Sequence, residues 1–283
     1  MPMTTPKIYP TVAEFRAELA SFRRQGARIG LVPTMGALHE GHLSLVRETK
    51  KRVGVVAVSI FVNPTQFAPH EDFDRYPRTL EADCAKLAGT GCDLVFAPSA
   101  GEMYPRGFAT AIQMGGPALG LETDFRPHFF GGVAIVVAKL LIAAMPDLAM
   151  FGEKDYQQLL VIRRLVADLG LPIEIAGGAI VREADGLALS SRNAYLSADE
   201  RRVAGQLNLV LRAAVARLYK GDAIGDVEAA GEAALLEAGF HSVDYVAVRD
   251  AETLEKIADL TRPARILAAA KIGATRLIDN MAV

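Results

Sequence analysis

Val32-Pro33-Thr34-Met35-Gly36-Ala37-Leu38-His39-Glu40-Gly41-His42 runs from an apolar stretch, extended upstream by Ile29 and Leu31, through a turn to two histidines around a glycine. The apolar stretch reads as a strand, the glycine-containing segment as a loop, and the residues after it as the start of a helix. A helix N-terminus has unpaired backbone N–H groups and the positive end of the helix dipole, so this arrangement favours a bound anion. His39 and His42 are three residues apart, which lets both imidazoles face one bound group from a first helical turn. Gly36 and Gly41 are expected to remove side chains where the backbone approaches a ligand. A capped helix with two incidental histidines would show the same spacing.

Outward from this stretch, apolar runs recur at Ile29–Val32, Val53–Val62, Leu94–Ala97 and Leu148–Phe151, with helical patterns between them. The run at Val53–Val62 does not alternate polar with apolar residues, as expected of strands buried on both faces in a helix-covered parallel sheet. The expected fold class is therefore α/β, a doubly wound and mostly parallel Rossmann-like sheet that binds ligands beyond the carboxyl ends of its strands. Three polar loops follow strands in this reading. They hold His39 and His42, then Asn63-Pro64-Thr65-Gln66, then Gly152-Glu153-Lys154-Asp155. The strand-end rule places all three on one rim. After Val181 the pattern changes to helices (Asp199–Tyr219, Val227–Gly239) followed by strands (Val243–Val248, Arg265–Ala270, Arg276–Ala282). That order implies a smaller C-terminal α+β domain, with residues 1–181 forming the first domain and 182–283 the second. Arg182-Glu183-Ala184-Asp185-Gly186 reads as the hinge or linker.

Composition narrows the class. The chain has 283 residues, of which 51% are hydrophobic, enough for a large core or two. Its formal net charge of −2 argues against general nucleic-acid binding. Cys84 and Cys92 form neither a disulfide framework nor a zinc pattern and suit a reduced cytoplasmic interior. Met1 to Val12 lacks the apolar core of a signal peptide. The longest apolar stretch, Val133 to Met145, is interrupted by Lys139 and too short to span a bilayer. A soluble protein without membrane or nucleic-acid partners is expected.

An anion on the rim needs more than a helix end. The dipole contributes about 0.3–2 kcal/mol, whereas even millimolar binding requires about 4 kcal/mol. Cations and hydroxyls must come from elsewhere, and Lys154 and Ser190-Ser191-Arg192-Asn193 offer them. Either segment alone reads equally well as a solvated lysine beside an Asp155 helix cap, or as a turn. Gln66 and Gln158 present amides that donate and accept at once, suiting a substrate with both hydroxyl and carboxylate groups. Gln66, beside Phe67 after a buried strand, is expected at the pocket floor, and Asn63 either fixes that loop or touches the ligand. His70 sits in an acidic loop with Glu71, Asp72 and Asp74, and His241 has no motif around it. Asp83 reads as a helix-face carboxylate or a contributor to Mg²⁺ binding. No Cys/His cluster has transition-metal spacing, and neither Gly-x-x-x-x-Gly-Lys nor a Gly-x-Gly-x-x-Gly after the first strand occurs.

Taken in order, Pro33 to His42, Phe61-Val62-Asn63-Pro64-x-Gln66-Phe67, Tyr76-Pro77-Arg78-Thr79, Phe151-Gly152-Glu153-Lys154-Asp155-Tyr156-Gln157-Gln158 and Leu189-Ser190-Ser191-Arg192-Asn193 resemble the pantothenate synthetase (pantoate–β-alanine ligase) family. The resemblance covers nearly the whole chain. His-x-Gly-His is shared with the wider nucleotidyltransferase superfamily, while the segments around Lys154 and Gln66 are much more specific.

The resemblance implies attack of the pantoate carboxylate on the α-phosphorus of Mg²⁺-ATP, giving pantoyl adenylate and pyrophosphate. Attack by the β-alanine amine then gives pantothenate and AMP. It implies that His39, His42 and Lys154 are catalytic, with His42 as proton donor. ATP would be held by Met35, Gly36, Ala37, Leu38, His39, Glu40, Gly41, His42, Gly152, Glu153, Lys154, Asp155, Val181, Leu189, Ser190, Ser191 and Arg192. Pantoate would be held by Gln66, Gln158 and Asn63, with Gln66 also able to meet β-alanine. A cytoplasmic homodimer is implied as well.

Two departures stand out. The superfamily's lysine-containing phosphate loop is replaced here by Leu189-Ser190-Ser191-Arg192, which leaves one arginine and two hydroxyls. The family's Arg-Pro-x-His-Phe-x-Gly-Val appears as Arg126-Pro127-His128-Phe129-Phe130-Gly131-Gly132-Val133, so Phe129 occupies the histidine's place and no role is carried over to His128. Two rivals remain: a related nucleotidyltransferase with a phosphate acceptor, which should carry Arg or Lys in place of the glutamines, and a nucleotide-binding module without catalysis.

Overall fold

The structure, a computed structural model, describes residues 5–67 and 73–283. The first part of the chain runs β1 (Lys7–Tyr9), α1 (Val12–Arg24), β2 (Ile29–Thr34), α2 (Glu40–Lys50), β3 (Val55–Ile60), α3 (Leu80–Leu87) and β4 (Leu94–Phe96). It continues with α4 (Ala100–Met103), α5 (Glu122–Phe125), α6 (Phe129–Ala144), β5 (Leu148–Gly152), α7 (Tyr156–Asp168) and β6 (Glu174–Gly178). The strands form one parallel sheet in the order β1-β4-β3-β2-β5-β6. The chain builds outward from β2 to β1's side, then returns to place β5 on β2's other edge. The point of reversal lies between β2 and β5.

Helices cover both faces. Phe15 and Leu19 of α1, Val133 to Ala144 of α6 and Leu159 to Val166 of α7 pack on one side. Leu45 and Val46 of α2 and Cys84 and Leu87 of α3 pack on the other. The core strands are buried nearly throughout, as their unbroken apolar runs require. The apolar segment around Val133 is α6, whose 16 residues are mostly buried. At 1.5 Å per residue it is about 24 Å long, short of a ~30 Å bilayer core. Among the described residues, no helix is long and apolar enough to cross a membrane.

The remainder contains α8 (Ala198–Ala204), α9 (Gln206–Tyr219), α10 (Ile224–Glu237), β7 (Ser242–Asp250), β8 (Ala264–Ile272) and β9 (Thr275–Ala282). The last three strands form an antiparallel sheet in chain order. One face packs on α9 and α10 through Val246, Val248, Ile266 and Ala268. The opposite face presents Ala247 and Leu267 to Leu121, Tyr156 and Leu160 of the first part. This alternation lets one short sheet join two hydrophobic layers.

Two edge strands and one helix break were not apparent in the sequence. β1 has only three residues, and β6 ends in Gly177-Gly178, a composition that disfavours strands. Those glycines fit because a Cβ at Gly178 would sit 2.2 Å from Leu45 Cδ2. The expected single helix over Asp199–Tyr219 is divided at Gly205, where a Cβ would lie 2.8 Å from Asp185 Oδ2. The first of the pair opens on a reciprocal cap between Ser197 and Glu200.

The packing of α2 on β2 leaves no room at Gly30, where a Cβ would meet Thr49 Cγ2 at 2.3 Å and Val53 Cγ2 at 2.9 Å. Both neighbours are β-branched and stiff. Gly30→Ala should therefore destabilise the protein by about 1–3 kcal/mol through overpacking, read as a lower midpoint with unchanged slope in urea unfolding.

Candidate active site

A cavity of about 840 Å³ opens beyond the carboxyl ends of β2 and β5, at the reversal point of the sheet. The loop leaving β2 forms one wall. Gly36 and Ala37 both have positive φ, +84° and +49°, so this loop turns through a conformation that only Gly adopts freely. The turn is clamped from α3. Asp83, fully buried, accepts from the backbone N–H of Ala37 at 2.9 Å and of Leu38 at 2.8 Å, and from Thr79 Oγ1 at 3.1 Å. Lys86, one helical turn on, donates to the Leu38 carbonyl at 2.7 Å. Asp83 thus holds the turn rather than standing on an open helix face or offering oxygens to Mg²⁺.

The clamped turn delivers His39 as the N-cap of α2 and His42 within its first turn. The ring centroids are 4.1 Å apart. A Cβ at Gly41 would lie 2.9 Å from the His39 ring, so glycine there makes room for an imidazole, not only for a ligand. The His39 backbone N–H donates to His42 Nδ1 at 3.3 Å. That bond assigns the neutral ring's proton to Nε2. Burial pushes the His42 pKa down to about 3, helped by His39, Lys154 and Lys86. His39 is lowered to about 4, first by burial and then by Lys154 and Lys86. Both rings are uncharged hydrogen-bonding groups at neutral pH in the ligand-free protein.

The loop leaving β3 forms the floor. Gln66 is buried and lines the cavity, as its sequence context suggested. Asn63 is 1% exposed and fully engaged: Nδ2 donates to Gln66 Oε1 at 3.0 Å and to the Gly132 carbonyl at 3.1 Å, while Oδ1 accepts from Tyr104 Oη at 2.8 Å. It fixes the loop and orients Gln66, and it lies behind the wall instead of touching a ligand. α6 approaches this loop so closely that a Cβ at Gly132 would sit 2.1 Å from the Thr65 carbonyl oxygen.

The loop leaving β5 forms the opposite wall, with Gly152, Lys154, Asp155 and Gln158 facing the cavity. Its backbone is held from β9: Asn280 Nδ2 donates to the carbonyls of Glu153 and Lys154, each at 2.9 Å. Glu153 faces Arg265 at 3.3 Å instead of the cavity. Val181, Leu189, Ser190, Ser191 and Arg192 close the remaining side, and Ser191 Oγ reaches the Ala37 carbonyl at 3.1 Å. Met35 also lines the cavity. Gly36, Ala37, Leu38 and Glu40 stand behind it, with Leu38 in the core and Glu40 paired with Arg47. Gln157, unlike Gln158, is structural, joining the segment at Pro117–Glu122 to α7.

Other candidates lie elsewhere. His70 with Glu71 and Asp72 is outside the described residues. His241 is exposed at the foot of β7, and His128 is exposed while Phe129 lines the cavity. Among the described residues, no group of three or more His, Cys, Asp or Glu side chains is placed to hold a metal ion. The Arg182–Gly186 segment is a tight turn tied to the second sheet, with Arg182 paired to buried Asp279 at 2.6 Å and Arg201 gripping Glu183 and Asp185. Sequence reading missed Asn280, Arg265 and the Glu122–Arg276 pair. Their partners lie a hundred or more residues away, so no local pattern marks them.

A doubly wound sheet with paired histidines and a lysine loop meeting at its reversal point defines a nucleotide-handling site. Residues 7–282 match the family model described as Pantoate-beta-alanine ligase. A pantothenate synthetase of Bradyrhizobium sp. (strain BTAi1 / ATCC BAA-1182) is 56% identical over 281 residues, covering 99% of each chain. That of Caulobacter vibrioides is 54% identical over 99% of this chain and all of its own. Among solved structures, pantothenate synthetase from Thermus thermophilus superposes with a TM-score of 0.91 at 48% identity, covering 97% of this chain and 98% of its own. The pantoate-beta-alanine ligase of Francisella tularensis, complexed with beta-gamma ATP and beta-alanine, gives 0.83 at 34% identity, covering 98% and 97%. The chain belongs to the pantoate–β-alanine ligase family. It is an enzyme that condenses pantoate with β-alanine.

The lowered histidine pKa values set a pH dependence. Because the folded values lie below the ordinary 6.5, the unfolded chain binds more protons as pH falls. This contribution to stability is intact above about pH 6.5 and lost progressively toward about 4 and about 3. Histidine Cε1–H resonances of the free protein should show both rings still neutral at pH 6. A midpoint near 6.5 for His42 would contradict the buried, neutral pair.

Proposed function

We propose that this cavity carries out the condensation in two halves, through an acyl adenylate, with ATP as the activating substrate and Mg²⁺ entering as part of the nucleotide substrate. The observation that carries the reading is the meeting of His39, His42 and Lys154 with Gln66 and Gln158 around one cavity at the β2/β5 reversal. In the first half a pantoate carboxylate oxygen bonds to the α-phosphorus of ATP, the bond to the bridging oxygen breaks, and its electrons leave with pyrophosphate. In the second, the β-alanine nitrogen bonds to the acyl carbon, the acyl–oxygen bond breaks, AMP departs and the nitrogen loses a proton.

Phosphoryl-type transfer needs positioning and charge stabilisation more than a protein nucleophile. His42 supplies a neutral Nε2–H to the oxygens of the α-phosphate, and His39 and the α2 N-terminus act beside it. Lys154, Ser190, Ser191 and Arg192 bind the remaining phosphates. Met35, Gly152, Asp155, Val181 and Leu189 shape the nucleotide site, with Gly36, Ala37, Leu38, Glu40, Gly41 and Glu153 supporting it as backbone. Gln66 and Gln158 bind pantoate through amides that pair with its hydroxyls and carboxylate. The glutamines also favour a carboxylate acceptor over a phosphate, which would be better served by arginine or lysine.

We take residues 1–181 and 182–283 as two domains, the second acting as a lid that excludes water from the adenylate. Arg182 is bound to the second sheet, so a pivot belongs upstream, at residues 179–181. The working form is taken as a homodimer in the cytoplasm, on the resemblance to the family.

ATP–pyrophosphate exchange with pantoate and Mg²⁺, β-alanine omitted, tests the first half. Pantoate-dependent exchange, followed by AMP release on adding β-alanine, is the expected result. Nucleotide binding without exchange would move the reading to another acceptor or to a non-catalytic module. His42→Ala should lower turnover by about 10²–10³, the usual cost of removing one well-placed donor. Near-normal turnover in that variant would sink the role given to His42.

A further inference from the structure

We propose that Glu122 is a positioning residue through which the second sheet sets the pantoate pocket. The proposal rests on the assignment of Gln66 to pantoate above. Glu122 opens α5, and its carboxylate is almost fully buried where the two parts of the chain meet. From the second sheet Arg276 Nη1 donates to its Oε2 at 2.8 Å, Arg276 Nη2 stands 2.8 Å from Oε1 as an ion-pair contact, and the Tyr245 hydroxyl donates to Oε1 at 2.7 Å. Arg276 is itself squared against Asp244 at 2.7 Å. On the other side, Arg126 stands 3.6 Å from Glu122, stacks over Phe129 at 3.9 Å, and donates to the Gln66 carbonyl at 3.0 Å. A continuous chain of contacts thus runs from β7 and β9 through Glu122 and Arg126 to Gln66.

Cohesion alone does not explain this cluster. The apolar contact of Leu121, Tyr156 and Leu160 with Ala247 and Leu267 already joins the two parts. Buried ion pairs are weak sources of net stability against such packing. They are, however, directional: Arg276 donates through Nε to Asp244 and through Nη1 to Glu122, which fixes the plane of its guanidinium between the two carboxylates. Glu122, Arg126, Tyr245 and Arg276 all border the cavity that Gln66 floors. Two cations and two carboxylates balance there, so a displaced second sheet takes Arg276 away from Glu122 and loosens the hold of Arg126 on Gln66.

The test is steady-state kinetics of Glu122→Gln and Tyr245→Phe beside wild type, varying pantoate and ATP separately. The expected result is a pantoate KM raised about tenfold, equivalent to one charge-assisted hydrogen bond, with the ATP KM essentially unmoved. A purely structural role would lower the melting temperature and leave the two KM values in their wild-type ratio, which would overturn the proposal. Should Glu122→Gln fail to fold, Tyr245→Phe removes only a hydroxyl and decides the matter alone. The wild type separates the two failures. Without pantoate-dependent exchange in wild type, the pocket assignment itself falls. With an active wild type and an unchanged pantoate KM in the variants, only the positioning role falls.

Discussion

Everything in this site depends on the reversal of strand order between β2 and β5. Parallel strands deliver their following loops to one rim, and a reversal parts the crossing helices on either side of it, leaving a crevice. Neither loop could form the cavity by itself. The turn after β2 brings imidazoles, hydroxyl-accepting carbonyls and a helix N-terminus, while the turn after β5 brings an ammonium and an amide. Their separation in sequence exceeds one hundred residues, yet the register of β2 on β5, Gly30 opposite Leu148 and Leu31 opposite Ala149, sets them side by side.

That crevice is lined deeply enough to strip charge from the histidines. An imidazolium pair 4.1 Å apart, buried and flanked by Lys154 and Lys86, would be opposed by burial and by like charge at once. Neutral imidazoles avoid this cost and still present a fixed N–H. A neutral donor of this kind is orientated before the substrate arrives and needs no reorganisation when charge develops on a phosphate. Orientation has to come from the backbone, and Asp83 provides it by satisfying two N–H groups of a turn that contains a non-glycine residue at positive φ. A few kcal/mol of strain at Ala37 is tolerable only with such a clamp.

The legible part of this protein was local. Unbroken apolar runs betrayed β2, β3, β4 and β5, and their loops named His39, His42, Gln66 and Lys154 by position alone. The illegible part was non-local or chemically ambiguous. β1 and β6 are edge strands too short or too glycine-rich to show a pattern. Asp83 carries the same letters whether it faces water, a metal ion or two backbone N–H groups; only the fold of the preceding turn decides. Asn63 was ambiguous for the same reason, since an amide beside a pocket can serve ligand or loop, and Tyr104 and Gly132 claim it for the loop. The turn at Arg182–Gly186 looked like a linker from its polarity, but its charges are spent on Asp279 and Arg201.

The second sheet is therefore more than a cover. Asn280 ties the backbone of Glu153 and Lys154 to β9, and Arg265 couples that asparagine to Glu153 and to the face of Tyr156. The loop carrying the ammonium thus takes its shape from the last strand of the chain. A lid that only excluded water would need shape complementarity and nothing else. One whose side chains donate to the backbone of the Lys154 loop also helps to hold the shape of that loop. On the proposed lid role, the docking that excludes water is the same docking that holds the backbone of Glu153 and Lys154 through Asn280. Under that proposal the Lys154 loop and the shield over the adenylate share one set of contacts, which separate elements would not give.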